Sequence, residues 1–393
     1  MKRFTLIIDG HNFFFRSLWG VFKQGSTKVL NTQKDKDAYE KKLMVDFCNI
    51  VRQVNPIIND IVFVKDSPHP WRKDLLLQRE YKGNRKKVQD NINKENFGEV
   101  TNSFTETIKS LGIKVSQVEH SEGDDLIYVW SESLFRNGKS SLIFSTDRDL
   151  TQLVKCVDGV QIIQYAPLTN KLYVSKESDD FIKDLEKKTN LSSENLFGEV
   201  FAVSIESDPF RKFVSSVNVE VVEPEVVRFI KVVSGDQSDN IYPVYYKQGD
   251  GTTRSKGIGV KTTEKIYDEF VNRLGCKFNY TIYSNDEALK ILCNVIYDIA
   301  KIKDDNFTKR MLFENIKTNA KLVALTEESI PDYIIKDMDA NINEEMLKNN
   351  AVISKITKEK MFSKSRFKDY KSTIQINALK GVSDDGDLSF IHD

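Results

Sequence analysis

Four short, largely apolar runs recur along the first half of the chain: FTLII at 4–8, IVFV at 61–64, IKVSQV at 113–118 and SLIFS at 141–145. Each is followed by a turn and then a helix-like stretch. Tyr39, Leu43, Val45, Phe47, Ile50, Val51 and Val54 fall at near-helical spacing over 37–54, and Leu126, Ile127, Val129, Trp130, Leu134 and Phe135 do so over 122–136. Strand and helix patterns that alternate in this way predict an α/β fold, a mostly parallel central sheet flanked by helices on both faces. Further on, VQIIQY and KLYV on either side of 167–170 predict a hairpin over 160–175. Helices are predicted at 223–233, 262–272 and 344–362, whereas 176–222 has no readable period.

In open sheets of this kind ligands bind beyond the carboxyl ends of the strands, and here those ends are acidic. Asp9 closes the first strand and Asp66 follows the second; Glu122, Asp124 and Asp125 follow the third; Asp147 and Asp149 follow the fourth. Asp236 and Asp239, three apart in SGDQSDN, would share one face of a helical turn and add two more carboxylates. Each acid could instead cap a helix N-terminus, where Asp is favoured. Capping, however, needs one acceptor per helix and gains nothing from clustering. Two like charges ~4 Å apart repel by roughly 4 kcal/mol at an effective dielectric near 20, so so dense a group stays ionised only beside cations. All-oxygen donors select hard cations such as magnesium or manganese, not zinc.

The 393 residues suffice for two or three domains and a sizeable core. With 40% hydrophobic and 30% charged residues, and only 18 Gly and 8 Pro, the chain is neither disordered nor collagen-like. Cys48, Cys156, Cys276 and Cys293 are scattered and have no histidine at zinc-ligand spacing, so they read as reduced thiols. No apolar run is long enough for a membrane helix, and the one after Lys2-Arg3 is too short for a signal peptide. A cytoplasmic protein is expected (host cytoplasm if the source is viral), with no membrane partner.

Lys plus Arg and Asp plus Glu both total 58, a net charge of zero that, taken alone, argues against a polyanion-binding protein. The zero is a cancellation. Residues 65–87, KDSPHPWRKDLLLQREYKGNRKK, set eight basic side chains against three acidic ones, a local charge of +5, and begin at a predicted metal ligand. The run could be a solvated helix face, but cations beside a metal cluster also suit a polyanionic substrate. Downstream, GIGVKTT at 257–263 permits close backbone approach before a helix; it reads either as a phosphate-backbone grip next to Lys261 or as an ordinary turn between helices. The P-loop order is absent.

Taken together, IIDGHN at 7–12, YKGNR at 81–85, EGDD at 122–125, STDRDLTQL at 145–153, GDQSDNI at 235–241 and GIGVKT at 257–262 resemble, in order, the structure-specific 5′-nucleases. That family includes flap endonucleases, the 5′-nuclease domains of bacterial DNA polymerases, bacteriophage 5′-3′ exonucleases and phage ribonuclease H. The resemblance spans roughly 1–165 and 225–275. It implies a PIN-like 5′-nuclease domain over 1–234 with a basic arch near 65–110 and an insertion at 176–222. A helix-hairpin duplex-binding module would follow over 235–300, then a helical C-terminal region over 301–393 with an acidic tail that is either frayed or a partner-binding segment.

By resemblance, Asp9, Asp66, Glu122, Asp124 and Asp147 surround one Mg2+, and Asp149, Asp236 and Asp239 a second, with Mn2+ able to substitute and Asp125 an additional acid. Lys82 and Arg85 would reach the scissile phosphate, and Arg72, Arg79, Lys86, Lys87 and Arg16 would contact nucleic acid. Phe15 falls where the family places an aromatic against a terminal base, though a core role fits it as well. Gly257, Gly259, Lys261 and Thr262 match the turn that grips duplex DNA, sometimes with K+. One ion would lower the pKa of a water while the pair clamps the phosphate, with Asp147 essential. The implied substrates are DNA with 5′ ends, flaps or nicks, or RNA–DNA hybrids, met during primer removal or flap processing, with a single-stranded-DNA-binding or replication protein as a further partner. Residues 241–256 depart from the pattern as an extra stretch before Gly257. A PIN-like ribonuclease or a non-catalytic branched-DNA-binding protein are the alternatives.

Overall fold

The computed structural model describes residues 4–23, 26, 28–75, 81–83, 91–180, 182–183, 209–249, 255–275, 280–304, 306–345 and 361. The chain runs through β1 (Phe4–Asp9), α1 (Gly10–Trp19), α2 (Gln33–Val54), β2 (Ile58–Val64), α3 (Lys94–Ser110), β3 (Lys114–Ser116), α4 (Gly123–Arg136), β4 (Ser140–Phe144), β5 (Lys155–Val157), β6 (Val160–Ala166) and β7 (Lys171–Val174). It continues with α5 (Pro209–Ser215), β8 (Asn218–Val221), α6 (Pro224–Ser234), the short strands β9 (Tyr246–Lys247) and β10 (Lys256–Gly257), α7 (Val260–Leu274), α8 (Asp286–Ala300), α9 (Lys309–Val323) and α10 (Asp332–Glu345).

The central sheet has the order β3-β2-β1-β4-β6-β7-β8, with β5 paired to β6. β1 pairs in parallel with both β2 and β4, so the strand order reverses at β1 and opens the crevice that such sheets use for ligands. The predicted strands therefore appear as a largely parallel sheet, and the predicted hairpin is the antiparallel β6–β7 pair. Asn170 turns it in the left-handed region at φ 49°. β8, from the stretch without a readable period, joins β7 in parallel. Phe210 and Phe213 of α5 are buried against Phe4 and Tyr165, with ring centroids 5.0 and 5.5 Å apart.

The chain divides into two compact units, one within 1–13, 54–89 and 114–350, the other within 14–53, 90–113 and 351–393. In the first, Leu126, Ile127, Trp130 and Leu134 of α4 and Ile334 and Met338 of α10 bury themselves against Ile7, Val62, Val64 and Ile143 of the sheet. A separate core joins α6 to α9 through Phe229, Val232, Ile266, Phe270, Leu289, Leu292, Leu312 and Ile316. In the second unit α2 and α3 meet through Tyr39–Phe97 and Phe47–Phe104 contacts, and Ser103 donates to buried Glu40 at 3.0 Å. Met44 and Cys48 are buried where the helical pattern had selected Val45, which is half-exposed.

The extra stretch at 241–256 contributes β9, which pairs antiparallel with β10. Asn315 and Asn319 of α9 donate to the carbonyls of Val244 and Tyr242 and tie it to that helix. α7 begins two residues before the predicted helix. Most of the helix predicted at 344–362, and the acidic tail, lie outside the described residues. Among the described residues no helix is long and apolar enough to cross a membrane.

Candidate metal centre

The acids gather because the chain turns sharply at each strand end. β1 passes directly into α1 at Gly10, where a Cβ would stand 2.2 Å from the Val64 carbonyl oxygen, so only glycine fits. Asp9 is buried there: the Asn12 amide donates to its Oδ1 at 3.0 Å and the Ser145 hydroxyl to its Oδ2 at 2.7 Å. Asn12 also donates to the Thr146 hydroxyl at 2.7 Å and accepts from the Thr146 amide at 3.2 Å, which fastens the start of α1 to the loop after β4. In that loop Asp147 caps the 3-10 turn Arg148–Leu153 by accepting from the Asp149 amide at 2.9 Å. Asp66, beyond β2, accepts from the Gly123 amide at 2.6 Å, and the His11 ring lies 3.2 Å from its other oxygen.

Asp9, Asp66, Asp124 and Asp147 are close enough to act on one another electrically. Burial pushes the Asp9 carboxyl up to about 6, against its hydrogen bonds and with help from Asp66 and Asp147. Burial also raises Asp124 well above the usual carboxylate range, and Asp147 and Asp9 add to the effect. Asp149 is raised to about 7 by burial and by Asp147, although Lys231 opposes the shift.

The remaining acids are paired with protein cations. Glu122 accepts from Arg72 at 2.8 Å, Tyr81 at 3.0 Å and Lys82 at 2.7 Å; burial notwithstanding, Arg72 and Lys82 hold it down to about 2. The Lys82 ammonium is 3.8 Å from Asp239, and the Tyr81 hydroxyl is 3.3 Å from the same carboxylate. Lys231 lies 2.5 Å from both Asp149 and Asp236. Asp236 also accepts from the amide and hydroxyl of Ser238, and although burial opposes it, these bonds with Lys231 hold it at about 2. Among the described residues no three carboxylates are spaced as a ready-made ligand set.

Residues 4–183 match the family described as 5′-3′ exonuclease, N-terminal resolvase-like domain. Residues 4–183, just under half of the chain, thus carry a 5′-3′ exonuclease N-terminal domain, and the resemblance to the structure-specific 5′-nucleases holds. The protein is a nuclease. The 5′-3′ exonuclease of Mycoplasma pneumoniae is 24% identical over 318 residues, 81% of this chain and 87% of that protein. That of Buchnera aphidicola subsp. Baizongia pistaciae is 29% identical over 153 residues, 38% of this chain and 45% of that protein. Among solved structures, the bacteriophage T5 D15 protein co-crystallised with metal ions gives a TM-score of 0.47 at 18% identity, covering 92% of this chain and 100% of that one. The catalytic core of Rad2 in complex with a DNA substrate gives 0.37 at 14% identity, covering 90% and 92%.

Two expected contacts of the nuclease are corrected by burial. Arg72, read as a nucleic-acid contact, is 2% exposed; it spans Glu122 and Asp125 and donates through Nε to the Leu322 carbonyl at 3.1 Å. A guanidinium walled in by two carboxylates and a carbonyl cannot touch a phosphate. Asp125, read as an additional metal acid, is fully buried with Arg72 at 2.7 Å and the Trp71 indole at 3.0 Å. It closes a capping box by accepting from the Glu122 amide at 3.1 Å, which turns it away from any ion outside.

Phe15 is half-buried against Phe97 at 5.2 Å, and Arg16 lies one residue on in α1. Gly259 precedes α7 with nothing within 4 Å of a Cβ, so no neighbour within the nuclease demands glycine there. Gly257 is tighter, with Pro243 and Tyr246 each 3.2 Å from a Cβ; Lys261 is exposed and Thr262 half-buried in the first turn of α7. Arg79, Arg85, Lys86 and Lys87 lie outside the described residues.

Lys231, Tyr81, Ser145 and Asn12 escaped the sequence reading. Tyr81 and Asn12 sit inside YKGNR and IIDGHN, so position in those motifs was available as a signal. Lys231 had only its place one helical turn before Gly235.

Proposed function

We propose that the protein is a metal-dependent, structure-specific 5′-nuclease, a 5′-3′ exonuclease or flap endonuclease that hydrolyses phosphodiesters in DNA or RNA–DNA hybrids during primer removal or flap processing. The observation that carries this reading is the joint elevation of Asp9, Asp124 and Asp149: carboxylates pushed up by burial and, all three, by the neighbouring Asp147 are where a divalent cation is held. Asp9, Asp66, Asp124 and Asp147 would hold one ion, and Asp149, Asp236 and Asp239 a second, Mg2+ or Mn2+ by their all-oxygen chemistry. When bound, such ions neutralise the acids, polarise the phosphoryl oxygens and lower the pKa of water at the site.

The protein's own residues do the rest. Ser145 and Asn12 fix the Asp9 carboxylate, and the Gly123 amide fixes Asp66. Lys82, held by Glu122 and Asp239 and kept charged because, against its burial, the attractions of Glu122, Tyr81, Asp239 and Asp124 together prevail, presents a cation to the phosphate and stabilises the departing oxygen. Arg85 would assist it. The open N-terminus of α7 behind Gly259, next to Lys261, is read as the duplex-backbone contact, the place where K+ would also bind. DNA with 5′ ends, flaps or nicks is the substrate class. A replication protein as partner, and a cytoplasmic site of action, belong to the same reading.

The test is Mg2+-dependent cleavage of matched 5′-flap, nicked-duplex and RNA–DNA substrates, with Asp147→Asn as control. Cleavage at the 5′ side that stops with EDTA and with Asp147→Asn is expected. No cleavage by the parent, or undiminished cleavage by Asp147→Asn, overturns the reading.

A further inference from the structure

Among the described residues, the three cations of the centre are not alike. Arg72 is sealed in place, and Lys82 is tied to Glu122. Lys231, in the last turn of α6, is 24% exposed, and its ammonium spans Asp149 of the 148–153 turn and Asp236, two residues beyond the end of α6, at 2.5 Å from each. Asp9, Asp124 and Asp147, by contrast, make no ion pair with a lysine or arginine among the described residues.

We propose that Lys231 is a built-in counter-ion, holding Asp149 and Asp236 together in the metal-free chain and yielding its place to the second divalent ion. The inference rests on the metal-dependent reading above. Carboxylate oxygens bind Mg2+ at about 2.0–2.1 Å; one oxygen of each acid, Asp149 Oδ1 and Asp236 Oδ2, is bonded to the Lys231 ammonium, and the other oxygen of Asp236 accepts from Ser238. An ion set between the two carboxylates therefore takes the place the ammonium holds. Lysine suits the exchange, because it is a point charge on a flexible four-carbon stem and this one already touches solvent. The two ions therefore enter unequally. The first meets uncompensated acids around Asp9, Asp124 and Asp147, whereas the second must displace a resident cation. The displaced ammonium remains charged at the mouth of the site, where a phosphate would face it.

Calorimetric titration of the full chain with Mn2+, in the absence of nucleic acid, tests this. The parent is expected to bind two ions, the second more weakly. In Lys231→Met the second ion should bind about tenfold more tightly or better, with the first changed less than about twofold. The variant's thermal midpoint in EDTA should fall and recover at saturating Mn2+. Lys231→Gln, neutral yet polar, should behave as Lys231→Met does, and Lys231→Arg should keep the parent's weak second ion. Two ions bound with the second unchanged or weakened in the neutral variants overturns this inference alone. A parent chain that binds no Mn2+ overturns the metal-dependent reading and this inference with it.

Discussion

Gly123 donates its amide to Asp66 Oδ1 at 2.6 Å, and a Cβ on Gly123 would stand 2.6 Å from that same oxygen. The residue that positions the carboxylate can therefore do so only without a side chain. Gly123→Ala must push Asp66 aside or shift the start of α4, at about 1–3 kcal/mol of stability. A displacement near 1 Å at a reacting centre costs on the order of 10²-fold in rate. Cleavage by Gly123→Ala should fall by about that much while the folded population stays high at 25 °C, as circular dichroism and a flap-cleavage assay would show. Parent-level cleavage would mean that Asp66 is not needed where the structure puts it.

The metal-free protein should lose stability as pH rises through neutrality. Asp9 and Asp149 titrate near 6 and 7 in the folded chain against 3.8 unfolded, so between those values the folded state holds the extra protons. Their contribution is complete below about pH 4 and disappears as pH climbs through 6 and 7, together on the order of a few kcal/mol. Glu122 and Asp236 run the other way: held near 2, they stabilise above the unfolded carboxylate range and lose that as pH falls from about 4.5 towards 2. In EDTA the melting temperature should peak near pH 4, where the two trends balance, and fall from there towards neutrality; Mg2+ should raise it more at pH 8 than at pH 5.5. Equal Mg2+ stabilisation at both would separate these carboxyls from the ion.

What could be read from the chain beforehand was whatever is local. Asp9, Asp66, Glu122 and Asp147 were visible because each follows a short apolar run, and strand ends in a parallel sheet converge whatever their loops. Arg72 was misplaced because a basic segment looks solvent-facing in sequence; only the fold brings Glu122 and Asp125, some fifty residues later, around one of its guanidinia. Lys231 had no local mark either, since its meaning lies in two carboxylates from separate elements. β8 was hidden for a related reason: an edge strand with exposed Val219 and Val221 carries no buried period.

Arg72 gives a direct check of that correction. Removing one partner of a buried ion pair typically costs ~3–5 kcal/mol, because the charges left behind are uncompensated. Arg72→Met should destabilise the protein by about that amount in urea unfolding. Measured where the variant is still folded, the slope of log DNA affinity against log salt should equal the parent's, whereas loss of a phosphate contact would reduce it by about one. A reduced slope would put Arg72 back at the nucleic-acid surface.

Lys82 combines a functional side chain with a backbone that lysine does not favour. Its φ of 55° lies in the left-handed region, and its amide donates to the Asp239 carbonyl at 2.9 Å, which locks that conformation. Removing the ammonium should slow cleavage by about 10²–10³-fold, the usual loss for one charged stabiliser of a transition state. It should do so whether the new residue is alanine or glycine. Stability should separate the two, since glycine adopts this φ without strain and alanine does not, a difference of about 1 kcal/mol in favour of Lys82→Gly. Single-turnover cleavage and urea unfolding of both variants measure the two effects independently. Equal stabilities would show that position 82 relaxes out of the left-handed region once the bonds to Glu122 and Asp239 are gone; equal cleavage by variant and parent would remove Lys82 from the chemistry.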